Sequence, residues 1–239
     1  PEKMKMIPEY LAFLHEIQVD KISVGDVGVI YVLNKHPEWQ LPYVYDGETL
    51  VTSARQINFW AKRGASGAVL AREVPFDEMK ALVQTVEVPV EVLVYGATCI
   101  HQSKRPLLQN YYHFTQQNED RSKDRGLFLS EPKKDYAHYS IYEDSHGTHI
   151  FASNDVCLMK EVADLHALGY QTWKLDGVFC SGQNFVEIAR LFNQARQAIL
   201  ANEWTPILAN DLYKKVQSLH PENRELDTGF YYIEPSKIK

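Results

Sequence analysis

The strongest constraint on this chain is a rhythm: helical periodicity gives way to a short apolar run, and the pair repeats. Leu11, Leu14 and Ile17 lie at three-residue steps and predict an amphipathic helix over Pro8 to Val19, followed by a strand at Lys21 to Asp26. A helix over Val27 to Lys35 leads to a strand at Pro42 to Asp46. Ser53 to Arg63, closed by Gly64, leads to Gly67 to Glu73, and Phe76 to Val86 leads to Val90 to Gly96. The last strand is almost continuously apolar, as expected of a strand covered on both faces. Such alternation predicts an α/β fold with a parallel sheet and right-handed crossovers.

The rhythm breaks between Thr98 and Asp135, a polar stretch containing Gln116-Gln117-Asn118-Glu119-Asp120 and too long for an ordinary connection. Beyond it, Tyr139 to Glu143 and Thr148 to Phe151 flank the turn Asp144-Ser145-His146-Gly147 and predict a hairpin. Ser153-Asn154-Asp155 offers helix-capping side chains ahead of Leu158, Val162, Leu165 and Leu168, with Gly169 as the stop. A strand at Gln171 to Asp176 follows, then a helix from Asn184 to Asn202, a short helix from Asp211 to Ser218, and an irregular tail from His220. Five strands of βα type plus one from the hairpin suggest a TIM-type (β/α) barrel lacking its first two strands, read as truncation of a longer barrel. The expectation is one domain over residues 1–239, with an insertion at about 98–152 and a helical tail at about 203–239.

At 239 residues and 45% hydrophobic, the chain is large enough for one sizeable core. Its net charge of −6 provides no overall positive field for nucleic acid, so any RNA contact must be local. No apolar run reaches the roughly 20 residues that span a bilayer, and no leader precedes a cleavage site, which predicts a cytoplasmic protein without membrane contact. The first residue is Pro1, read as a processed or cut start. Three irregularly spaced cysteines make a poor disulfide framework and fit a reducing compartment.

Chemistry concentrates at the C-terminal end of the fourth predicted strand, where βα barrels place active residues. There Glu91 leads through Gly96-Ala97-Thr98 to Cys99. Cys99 is either a buried small hydrophobe or a thiolate, its pKa lowered by His101, Lys104 and Arg105. Arg72, Glu73, Glu91, Lys174 and Asp176 fall on or beside predicted strands, where charges pair with one another or meet a ligand. Arg72, Arg105 and Lys174 suit a small dicarboxylate. His138, His146 and His149 with Asp144 form a conceivable zinc set, against the simpler reading of a solvated polar turn, and no metal is expected. No phosphate loop, dinucleotide fingerprint or zinc-protease helix occurs.

The run from Glu91 through Cys99 and Gln102-Ser103-Lys104-Arg105 to Asn110-Tyr111 resembles the signature of peptidase family U32. So do Asp155-Val156-Cys157-Leu158, Trp173-Lys174-Leu175-Asp176-Gly177 and the tail Pro221 to Phe230. The tail and the Gln102 to Arg105 variant most resemble a shorter Firmicutes-type member of a pair linked to wobble-uridine hydroxylation of transfer RNA. The resemblance implies a barrel, a cluster-bearing paralogous subunit as partner, transfer RNA as substrate and prephenate as the small anionic ligand. It makes Cys99, Glu91 and Asp176 the catalytic candidates, and adds Asn110 and Tyr111 to Arg72, Arg105 and Lys174 as ligand contacts. Family members hold a four-iron, four-sulfur cluster on four cysteines. Cys99 and Cys157 match two of them, Pro106 stands at another, and the paired-cysteine loop is replaced by the cysteine-free segment from Glu119 to Lys134. Cys180 lies outside the pattern, and Val178 stands where an arginine often follows the strand. No cofactor is therefore expected on this chain. A collagenase-like peptidase using Cys99 or a strand-end carboxylate is the alternative function, and a non-catalytic scaffold the third.

Overall fold

The structure is a computed structural model and describes residues 2–48, 51–116 and 121–237, without the side chains of 2–4 and 134–136. The chain forms two compact units, one of residues 1–94, 161–174 and 228–239, the other of residues 95–160 and 175–227. Both combine helices with β-structure, so the α/β class holds.

The first unit carries the predicted repetition. Helix α1 (Glu2–Glu16), β1 (Ile22–Val24), α2 (Val27–Lys35), β2 (Tyr43–Tyr45), α3 (Ala54–Ala61), β3 (Ala65–Val69), α4 (Phe76–Val83) and the first residues of β4 (Val90–Ser103) follow one another. Strands β1, β2, β3 and β4 pair in that order, all parallel, with Ile22 beside Tyr43, Tyr45 beside Ala68, and Ala68 also beside Val90. Local chemistry starts the helices. The Asp26 carboxylate accepts from the amides of Gly28 and Val29, and the Ser53 hydroxyl accepts from the Gln56 amide while Gln56 reaches back to the Thr52 amide. Strand β3 ends at Val69, earlier than its apolar composition implied, because the chain turns at Arg72 and Glu73; both residues lie beyond the strand. Later in the chain, α6 (Val162–Leu168) ends on Gly169 at φ 101°, and most of β8 (Thr172–Leu175) follows in the same unit.

The second unit is built on antiparallel pairing. Strand β4 runs on through Ser103, seven residues past the expected end, because its polar distal half is one strand of a ribbon with an open face. Helix α5 (Leu107–Phe114), β5 (Phe128–Glu131), β6 (Lys134–Asp144) and β7 (Gly147–Cys157) follow. Much of the supposed insertion is thus regular structure; Gln117 to Asp120 lie outside the described residues. Strand β7 pairs β4 from Tyr95 opposite Cys157 to Ser103 opposite Thr148, and pairs β6 through the expected hairpin turn. Gly147 in that turn has φ 121°, and a Cβ there would collide with the Ser103 carbonyl.

Two expectations fail in this unit. Ser153-Asn154-Asp155 belongs to β7 and caps no helix, since the Asp155 side chain is bonded elsewhere; the helix starts only at Val162, with no side-chain cap. The tail is not irregular throughout: after α7 (Gly182–Leu200) and α8 (Pro206–Leu219), β9 (Glu225–Asp227) pairs in parallel with β7. Ile188, Phe192 and Ala195 on α7 and Leu212 and Val216 on α8 form the buried face of this helix pair.

Candidate functional site

In the second unit, Gly96 makes the site possible. Its φ is 129°, and a Cβ there would lie 2.5 Å from the Asp176 carbonyl oxygen. The bare backbone lets Asp176 lie against β4, where its amide donates to the Tyr95 carbonyl at 2.9 Å. The Asp176 carboxylate accepts from the Val178 amide at 3.0 Å, which holds the following loop. Three residues past Gly96, Cys99 sits at an irregularity in the β4–β7 ladder, the kind of bulge that re-aims a side chain. Its thiol lies in hydrogen-bond reach of the His101 carbonyl, at 3.4 Å.

Tyr142 on β6 packs against His149 and Phe151 of β7. Its phenol is pushed above the usual range first by burial, then by the negative charge of Asp144, with Cys99 and Asp176 adding to the effect and Arg125 opposing it. Two of the catalytic candidates, Cys99 and Asp176, therefore lie within electrostatic reach of one tyrosine. The Arg125 guanidinium lies 4.1 Å from the centre of the Tyr142 ring. These two residues, with Phe128, His138, Phe179 and Arg224, line a cavity of about 630 Å³.

One wall of the cavity is anchored by a buried ion pair. Arg224 grips Asp155 through Nε at 3.0 Å and Nη2 at 2.5 Å, donates to Ser140 Oγ and the Ala152 carbonyl at 2.8 Å each, and lies 4.2 Å from the Phe179 ring centre. Behind it, Tyr95 and His220 Nδ1 share a hydrogen bond of 2.7 Å. His220 Nε2 lies 3.6 Å from Asp155, an ion pair only if the imidazole is protonated. Burial, the largest effect, and the Arg224 charge both lower the His220 pKa, against the pull of Asp155, and favour the neutral ring. A second buried carboxylate, Glu143, accepts from the Leu108 amide at 3.0 Å and from Thr148 Oγ1 at 3.2 Å and pairs with Lys123 at 3.1 Å, fixing the start of α5 to the hairpin.

The remaining candidates lie apart from this centre. Arg105, Asn110 and Tyr111 are exposed where β4 gives way to α5, and the Arg105 carbonyl lies 2.9 Å from Thr148 Oγ1, as an alternative acceptor to Glu143 for its one proton; Thr148 pairs with Ser103 at the turn end of the ladder. Cys157 faces Tyr95, four residues along β4 from Cys99. At about 3.3 Å per residue the two thiols are separated by roughly 13 Å of strand. In the first unit, Lys174 pairs with Asp46 at 2.6 Å, while Glu91 lies half-buried on β4 beside Val69 and Arg72 half-buried in the turn after β3. His146 and His149 both contact Asp144, whereas His138 packs on Phe128; no group of three potential ligands converges on a metal position among the described residues. Sequence reasoning passed over Tyr142, Arg125 and Glu143. Asp155 is expected as a helix cap and as the first residue of the Asp155 to Leu158 motif, and Arg224 only within the tail motif.

Among the described residues, no helix is long and apolar enough to cross a membrane. The chain is 34% identical over 238 residues, 98% of its length, to tRNA hydroxylation protein P2 of Bacillus subtilis, and spans 76% of that protein. It is 22% identical to an uncharacterized protease of Methanocaldococcus jannaschii, covering 98% of this chain and 57% of the relative. It is also 22% identical to tRNA hydroxylation protein P of Escherichia coli, covering 82% of this chain and 52% of the relative. No solved structure matches it. The family model described as peptidase family U32 matches residues 1–239, and the chain belongs to that family.

Proposed function

We propose that this chain is a subunit of a transfer RNA wobble-uridine hydroxylation system, acting in the cytoplasm with a cluster-bearing paralogue and using prephenate as a small-molecule partner. The observation that carries this reading is the 34% identity to the P2 protein along nearly the whole chain. Two further relatives, P1 of B. subtilis at 21% identity and P of E. coli at 22%, bear names of the same process, and the two B. subtilis proteins supply the precedent for paired paralogues. The parallel β1–β4 order suits part of a TIM-type barrel that further strands would close.

The residues present do not fit a four-iron, four-sulfur cluster. The chain has three cysteines where such a cluster takes four thiolates, and of these Cys157 is buried opposite Tyr95, with Cys99 roughly 13 Å of strand away. We therefore place cluster chemistry on the paralogue. In this chain, the cavity lined by Tyr142 and Arg125 serves to position a ligand. The peptidase reading has less support, because the Cys99 thiol contacts the backbone carbonyl of His101 and not an imidazole base of the kind a cysteine nucleophile uses.

The test is gene deletion with complementation, scoring 5-hydroxyuridine in hydrolysed transfer RNA by mass spectrometry. The reading predicts loss on deletion and recovery with this chain. Unchanged hydroxylation in the deletion strain would rule it out, and gelatin cleavage that stops with Cys99→Ala would favour the peptidase.

A further inference from the structure

The cavity in the second unit has a wall chemistry that its own packing does not require. Phe128 is 53% exposed, yet its ring lies 4.2 Å from that of His138 at an interplanar angle of 44°. Both side chains are exposed and line the cavity. Arg125 stacks on Tyr142 and pairs with no carboxylate among the described residues. The exposed Asn223 side chain adds an amide with both donor and acceptor capacity. Arg224, by contrast, is fully engaged by Asp155, Ser140 and Ala152, so it forms wall and not anion site.

A ligand that uses all of this needs a flat π-face for the rings, nitrogen and oxygen atoms on its edge, and one negative charge for Arg125. A nucleotide has those three features, and unpaired RNA bases are commonly held by stacking on aromatic rings and guanidinium planes. The volume of about 630 Å³ lies in the range of small-ligand pockets. The net charge of −6 gives RNA no long-range attraction, so recognition must come from such a local site.

We infer that this cavity holds one unstacked nucleotide of single-stranded RNA, its base against Phe128 and His138 and its phosphate at Arg125. The inference rests on the transfer RNA reading above and names the part of the chain that would meet that substrate. One neutralised phosphate on a single strand gives a slope of about −0.7 in log affinity against log salt, far shallower than that of a basic groove.

The experiment uses the full chain and a fluorescein-labelled uridine octanucleotide, with binding followed by anisotropy from 50 to 300 mM salt. Expected are a slope near −0.7, roughly 5- to 150-fold weaker binding for Phe128→Ala, and loss of the salt dependence in Arg125→Gln. Phe114→Ala, at an 87% exposed aromatic on α5, should leave affinity unchanged. Absence of octamer binding overturns the assignment. So does equal affinity in Phe128→Ala and the wild type, or an aromatic carboxylate that binds at Arg125 while the octamer does not. If Phe128→Ala binds normally and restores hydroxylation in the deletion strain, the cavity assignment fails and the functional reading stands. If the wild type restores nothing, the functional reading fails, and the anisotropy result decides the cavity separately.

Discussion

Arg224 and Asp155, 69 residues apart in sequence, meet in a two-pronged ion pair with both side chains buried. The pair fastens the chain beside β9 to β7 and sets one wall of the cavity. Removing one partner leaves the other charged and buried. Asp155→Ala is therefore expected to cost about 3–5 kcal/mol, whereas replacing both residues with apolar ones of similar volume should cost much less. Urea denaturation of the single and double variants checks this, and additive losses would contradict it.

His220 adds a pH dependence. Its folded pKa lies below the usual value of about 6.5, so as the pH falls the unfolded chain takes up the proton first. The contribution of the neutral ring is complete above about pH 6.5 and is lost as the pH falls through the folded value. The urea midpoint should thus drop on acidification below pH 6.5, and His220→Gln should flatten that part of the profile. An unchanged slope in the variant would assign the effect to other groups.

Glu143 is expected to control α5 locally. In Glu143→Ala the Leu108 amide loses its acceptor and Thr148 loses a partner, at a cost of about 1–3 kcal/mol. Hydrogen exchange at the amides of Leu108 and Gln109 should accelerate more than exchange on α7.

The three cysteines should differ in reactivity. Cys157 and Cys180 are buried and Cys99 is partly exposed, so a thiol reagent should titrate one group in the native protein and three after denaturation. Fast modification of Cys157 in the native state would contradict the packing of β7.

The readable parts of this fold were those fixed by local chemistry. Val27 to Lys35 is helical within the boundaries read from sequence, because Asp26 caps its own neighbouring amides, and the hairpin around Gly147 needs only its turn. Ser153-Asn154-Asp155 misled because the residue types that cap helices also bond across strands, and the partner that decides between them, Arg224, is distant in sequence. The distal half of β4 was missed because His101, Gln102 and Ser103 carry no apolar alternation. In the candidate site, Cys99 and Asp176 stood out by position, and Gly96 is the residue whose missing Cβ lets Asp176 lie against β4, three residues before Cys99. Tyr142 and Arg125 gave no sequence signal, since their roles come from a cavity formed by segments far apart in the chain.

The proposed division of labour lies between this chain and a cluster-bearing paralogue. The most direct test expresses each gene alone, and both together, in a strain lacking the pair, and measures 5-hydroxyuridine in transfer RNA by mass spectrometry. The account predicts the modification only when both are present, with iron recovered on the paralogue. Hydroxylation supported by this chain alone, or a stoichiometric iron–sulfur cluster purified on it, would contradict the account.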